Sequence, residues 1–498
     1  MKKKAIILVL VSLLTACTKD IQKLNVDPKH PLAVPSYSLF TNAQHTLANT
    51  LTSSNVNLNI FRLIEQQWQE TTYTDESNYN LISRQIPDGI WDNLYTSVLA
   101  NFEQSKKTIP SDVIDPAQQK NEIAIVDIME AYTYFYLVTT YGNIPYSQAL
   151  DINQPFPKFD DAQTVYYDLL TRIDADIAVL KANETAASFG GADLIYGGDP
   201  VKWQKFANTF KVKMGIVISD SDPVKATAVI TSALSTTANS GIFTSNADNA
   251  VFKYLALTPN TNPVWVDLVQ SGRQDFVACS TLLGYLQPAG STADPRLPYY
   301  FTVNNQGVYA GGDPGANCSF GGNSKPSGPL LVPSSIGMVT NPDFPGDLLD
   351  YAETQFYLAE ARSKNIITNG TVATYYNQGI LASQSYWGVP DVAAVAYLAQ
   401  TNVALATATA PDGTALTELQ KIALQGYLAL YNRGWDAWIF TRVLDYPVFP
   451  APEAATSGYP VRFTYPINEQ NVNVTNYNAA SAAIGGDAVT TRLFFDKH

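Results

Sequence analysis

Glu353 and Glu360, seven residues apart, are the pair in this sequence best spaced for acid–base chemistry. On one helix they share a face and stand about 10 Å apart at 1.5 Å per residue. That is near the wide end of the ~6.5–9.5 Å separation of inverting glycosidases, so the chemistry would be cleavage of a glycosidic bond. The same residues also serve a helical scaffold as capping and ion-pairing groups, and this is the reading adopted. Arg296 beside Asp294, and the set Arg433, Asp436 and Arg442, read as structural charge networks for the same reason. Asp88, Asp92 and Asp313 offer hard oxygen ligands suited to Ca²⁺, but no EF-hand spacing accompanies them, so no metal is assigned. The three histidines His30, His45 and His498 lack HExxH spacing, and neither G-x-S-x-G nor G-x-x-x-x-G-K-[ST] occurs. The usual signals of a zinc hydrolase, an esterase and an NTPase are therefore missing.

The other residues with chemical potential are aromatic. Charged residues are 15% of the 498, below the ~25% of ordinary soluble domains, while the chain carries 29 Tyr, 21 Phe and 7 Trp. Tyrosine and tryptophan combine a flat apolar face with a polar tip, which suits a wet site for a sugar ring. Candidates are Trp68, Tyr73, Tyr79 and Trp91 early in the chain, then Trp265, Tyr285 and Tyr309. Tyr79 lies between Asn78 and Asn80, and Trp91 precedes Asp92 and Asn93, pairing a stacking ring with hydrogen-bonding side chains. Tyr73, Tyr79 and Tyr309 sit in polar runs; Trp68 and Trp91 also fit as buried anchors that pin loops to helices. The ligand-binding set taken forward is Tyr73, Asn78, Tyr79, Trp91, Trp265 and Tyr309. A net charge of −13 gives no attraction to phosphate backbones, so no nucleic-acid partner is expected.

Helices must position these residues. Asp115-Pro116, Asp199-Pro200 and Asp222-Pro223 each place a carboxylate at an N-cap and proline at the first helical position, and Gln118 adds capping-box spacing to the first. Periodicity predicts helix pairs 116–141 with 162–183, 200–217 with 223–236, 351–363 with 372–387, and 390–400 with 416–433. Such pairs suggest tetratricopeptide-like stacking, although without a regular repeat length or shared motif an irregular helical bundle fits the periodicity equally. Residues 237–349 lose the helical period and fill with Gly, Pro, Asn and Ser, as expected of a function-bearing insertion. The tail from Pro447 reads as loop. Length alone suggests about three domains and leaves one large one possible.

At the N-terminus, Lys2-Lys3-Lys4 precedes an apolar run from Ala5 to Leu14 that is too short to span a bilayer, and Leu14-Thr15-Ala16-Cys17 has the form of a bacterial lipobox. Residues 1–16 are read as a signal peptide and Cys17 as the lipidated residue of an anchored protein. The residues after Cys17 carry no inner-membrane retention signal. Cys279 and Cys318 remain; export permits a disulfide, and their spacing neither requires nor excludes one.

Several segments resemble the SusD/RagB family of nutrient-binding outer-membrane lipoproteins, and its SusD-like subgroup in particular. They are Tyr132–Tyr146 ending in Tyr-Gly-Asn-Ile-Pro-Tyr, Asp294-Pro295-Arg296-Leu297-Pro298, the helix Tyr351–Ala361 closing in Ala-Glu-Ala, and Tyr431-Asn432-Arg433-Gly434-Trp435-Asp436. Gln66-Gln67-Trp68 through Tyr79 and Arg462–Pro466 are also similar; the tail departs, with Phe494-Phe495-Asp496 where the family pattern has Trp-Trp-Asp. The resemblance implies an all-α fold of four tetratricopeptide-like helix pairs, in which 17–498 is a single domain with a loop-rich insertion at about 237–349. It further implies a binding protein without catalysis or cofactor, lipid-anchored at the outer membrane and facing the exterior. That protein would take an oligosaccharide, or in some members a peptide, and lid a SusC-like TonB-dependent transporter. The alternatives are a surface glycoside hydrolase using the helix-borne carboxylates and a purely structural lid subunit.

Overall fold

The computed structural model describes residues 34–235, 240–327 and 339–497, so residues 1–16, read above as a signal peptide, and Cys17 lie outside the described residues. Numbering the helices of eight residues or more, α1 is Ser36–Thr52, α2 Ala100–Asp112, α3 Pro116–Tyr141, α4 Ala162–Ala182, α5 Pro200–Val217 and α6 Pro223–Ser235. After the insertion come α7 Tyr351–Ser363, α8 Val372–Tyr386, α9 Asp391–Leu398, α10 Glu418–Ala429, α11 Gly434–Leu444 and α12 Val474–Ala483.

The caps work as the sequence suggests. Asp115 accepts from Ala117 N–H at 3.1 Å, Asp199 from Val201 N–H at 2.9 Å and Asp222 from Lys225 N–H at 2.9 Å. Gln118 is the exception. Its amide donates to Glu122 instead of closing a capping box, and the reciprocal box is made by Thr417 and Gln420 at the start of α10. Gly142 ends α3 at φ +88°, where a side chain would also strike Leu493.

Helices α3 with α4, α5 with α6, and α7 with α8 pack as antiparallel pairs in a tetratricopeptide-like all-α scaffold, and α1 with α2 adds a further pair. The fourth pair differs from expectation: α10 packs on α11, while α9 lies against α8 and reaches α10 through Gln425 Nε2, which donates to Tyr397 at 3.0 Å. The tail likewise contains a helix, α12, that the loop reading missed.

From Asn121 onward α3 is buried nearly all round. A charge network fastens it to its neighbours. Lys213 of α5 donates to Glu353 of α7 at 2.7 Å and to Asp436 of α11 at 2.5 Å; Arg433 binds Glu353, Asp436 and Asp350; Tyr136 of α3 donates to Asp436 at 2.6 Å. Arg442 caps Trp438, Thr139 and Val461 carbonyls, and Arg296 forms a buried 2.6 Å ion pair with Asp294. These are structural networks, as the sequence reading had them.

The insertion is irregular without being detached. Phe243, Leu283, Tyr300, Phe301 and Leu349 are in the core; an antiparallel ribbon of β1 Trp68–Glu70 with β5 Phe276–Ala278 ties it to the early chain, and β4 Ala250–Phe252 with β6 Gly346–Leu349 pairs its two ends, while β2 Ile144–Pro145 pairs with β3 Phe159–Asp160 outside it.

Candidate ligand-binding groove

The ribbon β1–β5 starts the site. Beyond Ala278 the chain turns into the short helix Ser280–Leu286, and the 311–318 loop lies alongside it. Gly312 N–H donates to Ala278 O at 2.9 Å and Ser280 N–H to Gly312 O at 2.8 Å. Only glycine fits at 311 and 312, where a Cβ would come within 2.5 Å of Ser280 N and 2.7 Å of Cys318 Sγ respectively. Cys279 and Cys318 flank this crossing as free thiols. Burial pushes the Cys279 thiol up to about 12, which keeps it protonated and unreactive.

Asn78 joins three loops behind the crossing. Its Nδ2 donates to Gly315 O at 2.8 Å and to Thr74 O at 2.8 Å, and its Oδ1 accepts from Ala454 N–H at 2.8 Å. Tyr79 accepts from Gln66 Nε2 at 3.2 Å, and Gln66 Oε1 accepts from Thr281 at 2.6 Å.

In front of this wall is an open groove of about 700 Å³. One side is Tyr285, half-buried and set edge-on against Tyr427 with ring centroids 6.1 Å apart. Tyr446 closes the floor and Val448 stands exposed at the rim. Ser280, Asp313, Asp412, Thr414 and Gln420 supply hydroxyl, carboxylate and amide groups around the rings. Asp313 accepts from Ser280 Oγ at 2.9 Å, leaving further acceptor capacity. Asp412 is held below the usual carboxylate range by the Thr414 N–H and hydroxyl. Past Tyr285 a narrower cleft of about 120 Å³ continues beside Asn402, Thr409 and Gln425.

Set against the candidates from sequence, Tyr73 is 80% exposed at the tip of the 71–80 loop. Trp265 and Tyr309 are half-buried and outside the groove lining. Four candidates are corrected. Trp91 is 5% exposed, its ring 4.9 Å from those of Tyr95 and Tyr141, so it anchors a helix and offers no face to a ligand. Tyr79 is 4% exposed behind the wall, and the Asn78 amide is spent on loop carbonyls and an N–H. Trp68 is likewise buried, its Nε1 donating to Tyr431. Sequence reasoning missed Tyr446, Asp412 and Gln420; the Pro411-Asp412-Gly413 turn was the one local signal available.

Glu353 is sealed in the Lys213–Arg433 network, and Glu360 is buried against Lys364 at 2.9 Å. Neither reaches a surface where a glycosidic bond could lie, which removes the hydrolase alternative built on them. Asp88 accepts from Ile467 N–H at 2.9 Å. Among the described residues no group of three or more His, Cys, Asp or Glu side chains is arranged to hold a metal ion, and no helix is long and apolar enough to cross a membrane.

Stacked helix pairs carry a loop-built groove with aromatic rings in its wall. The chain belongs to the SusD-like family, whose description is "Starch-binding associating with outer membrane" and whose model matches residues 28–466. Solved structures agree on the fold. A chitin-binding protein is 23% identical with TM-score 0.75, over 93% of this chain and 100% of its own. A SusD homolog from Bacteroides uniformis is 23% identical with TM-score 0.77, over 92% of this chain and 99% of its own. A chitin-binding SusD homolog from Flavobacterium johnsoniae is 20% identical with TM-score 0.74, over 92% and 98%. No curated protein matches the sequence.

Proposed function

We propose that this chain is a lipoprotein tethered through Cys17 to the outer membrane, facing outward, that captures an oligosaccharide and passes it to a SusC-like TonB-dependent transporter. The observation that carries the saccharide reading is the groove of about 700 Å³ in which the half-buried Tyr285 ring stands among Asp313, Asp412, Thr414 and Gln420. A pyranose presents a C–H face to such a ring and hydroxyls to such a rim. Much of this wall comes from the 237–349 insertion, where the sequence loses helical period. Tyr73, with its ring in solvent, and the half-buried Trp265 and Tyr309 extend the list of ring contacts for a longer chain. Two relatives of the same fold are named for binding chitin, which makes N-acetylglucosamine oligomers the first ligands to test.

The experiment is calorimetric titration of the soluble chain from Thr18 with neutral oligosaccharides of several linkages. Saturable binding without product release, lost in Tyr285→Ala, supports the reading. Binding that survives Tyr285→Ala and is lost in Tyr37→Ala would move the site to the separate groove beside Tyr37, His45 and Phe252. No binding to any saccharide would overturn it.

A further inference from the structure

The charge on the groove is one-sided. Of its lining residues the ionisable ones besides tyrosine are Asp313 and Asp412, and no lysine or arginine joins them. Both carboxylates are exposed, and among the described residues neither forms a salt bridge. They come from different segments, the 311–318 loop and the 410–414 turn, and their backbone frames are fixed. Gly312 is locked into the ribbon ahead of Asp313, whose carbonyl accepts from Ala316 N–H at 3.1 Å. On the other side, Ala410 N–H donates to Thr414 O at 2.8 Å across the turn that carries Asp412. Neither carboxylate is neutralised by a partner that a ligand would have to displace. The nearest lysine in sequence, Lys421, is turned away and donates to Leu405 O at 2.8 Å.

From this arrangement we infer that the groove discriminates by charge: it takes neutral or amino-bearing saccharides and rejects uronic-acid or sulfated ones, with Asp313 and Asp412 as the selecting residues. The inference rests on the saccharide reading of the groove and narrows it to a substrate class. A ligand carboxylate about 4 Å from one of these groups in solvent-like surroundings meets repulsion worth about a fivefold loss of affinity. Two such groups in the lining of one groove add their repulsion for any anionic sugar held there. An ammonium group gains by the same factor. Neutral hydroxyls lose nothing, because a carboxylate is a strong acceptor for O–H donors. The chain's overall charge of −13 repels anions at longer range, and that part fades beyond a Debye length of ~8 Å at physiological salt.

The test is a charge series on one backbone: N-acetylglucosamine oligomers, their deacetylated glucosamine counterparts, and glucose oligomers with and without C6 carboxylates. Each is titrated into the soluble chain and into Asp313→Asn/Asp412→Asn, with near-ultraviolet circular dichroism confirming that the variant is folded. The readout is the ratio of affinities between neutral and carboxylated partners, so a general change in binding cancels. A ratio of about tenfold or more in the native chain, falling to about two or less in the double variant and shrinking in 1 M NaCl, supports the inference. So does tighter binding of the glucosamine oligomers that disappears in the variant. Equal binding of neutral and carboxylated oligomers, or a ratio unchanged in the variant, overturns it while leaving the saccharide reading intact. Absence of binding by the whole series overturns both.

Discussion

The side-chain amide of Asn78 donates to the carbonyl of Gly315 at 2.8 Å, joining loops 237 residues apart in sequence. Gly315 adopts φ +76°, and a Cβ there would lie 2.2 Å from Asn78 Oδ1, so the contact needs both residues as they are. The wall of the groove is thereby fixed by a buried residue outside its lining.

Replacing Asn78 with Ala strands the buried Gly315 carbonyl and the part-buried Ala454 N–H. Each orphaned group costs about 1–3 kcal/mol, and the expected loss is about 2–4 kcal/mol in urea denaturation. Saccharide affinity should fall as well, because the wall loosens. Native stability in Asn78→Ala would show that water replaces the amide without cost.

Tyr285 is the ring the proposed ligand stacks on, and Tyr73 is an outlying one. Tyr285→Ala is expected to weaken oligosaccharide binding about tenfold or more, the size of a central aromatic contact. Tyr73→Ala should weaken it only about two- to threefold, and only for longer oligomers. Calorimetry against oligomers of two and six sugars separates the two outcomes; equal losses at both lengths would place Tyr73 within the central site.

Glu353→Gln tests the scaffold role directly. The substitution leaves Lys213 and Arg433 buried with one counter-charge fewer, and breaking such a network costs about 3–5 kcal/mol. Chemical denaturation should show that loss, with glycan chains incubated with native protein remaining intact. Destabilisation under 1 kcal/mol would mean that Asp436 alone holds both cations.

Much of the scaffold was legible because its signals are local. An aspartate before a proline marks a helix start through two or three bonds of its own neighbourhood, and all three such starts fall where they were expected. The fourth pair was not legible, because the break between α10 and α11 uses no proline. Asn432 makes it at φ +68°, just after the apolar stretch Leu428–Tyr431, where the expected helix ends but no second helix was anticipated after it. Gly434 then starts α11, where a Cβ would sit 2.3 Å from the Arg62 nitrogen, a constraint from a segment some 370 residues away. Trp91 misled for a related reason. Its polar neighbours Asp92 and Asn93 continue a helix, so they point away from the face it buries. The groove is assembled from residues near 280, 313, 412, 420 and 446, and no window of sequence contains more than a fragment of it.

Stability should fall as pH rises from about 5 to 9. Burial pushes Glu65 up to about 8, against the hydrogen bonds from Tyr459 and Thr441, and burial together with the neighbouring Glu76 carboxylate pushes Glu70 up to about 8. Both groups hold a proton more tightly when folded than unfolded. Their contribution is complete below the unfolded value near 4.5 and is lost as pH climbs through 8. Asp127, depressed by Arg172 and Lys106, has the opposite slope, but its contribution is lost only at acid pH below this window. Thermal unfolding followed at pH 5, 7 and 9 should therefore give a declining midpoint. Glu65→Gln should flatten that decline, since the amide keeps the neutral shape of the protonated acid. Because Glu70 ends β1 beside the Glu76 carboxylate of the next loop, the repulsion that its ionisation brings should loosen the 71–80 loop first. Protease cleavage near Tyr73 that rises between pH 7 and 9 ahead of global unfolding is the expected sign, and a midpoint rising across that range would contradict the assignment.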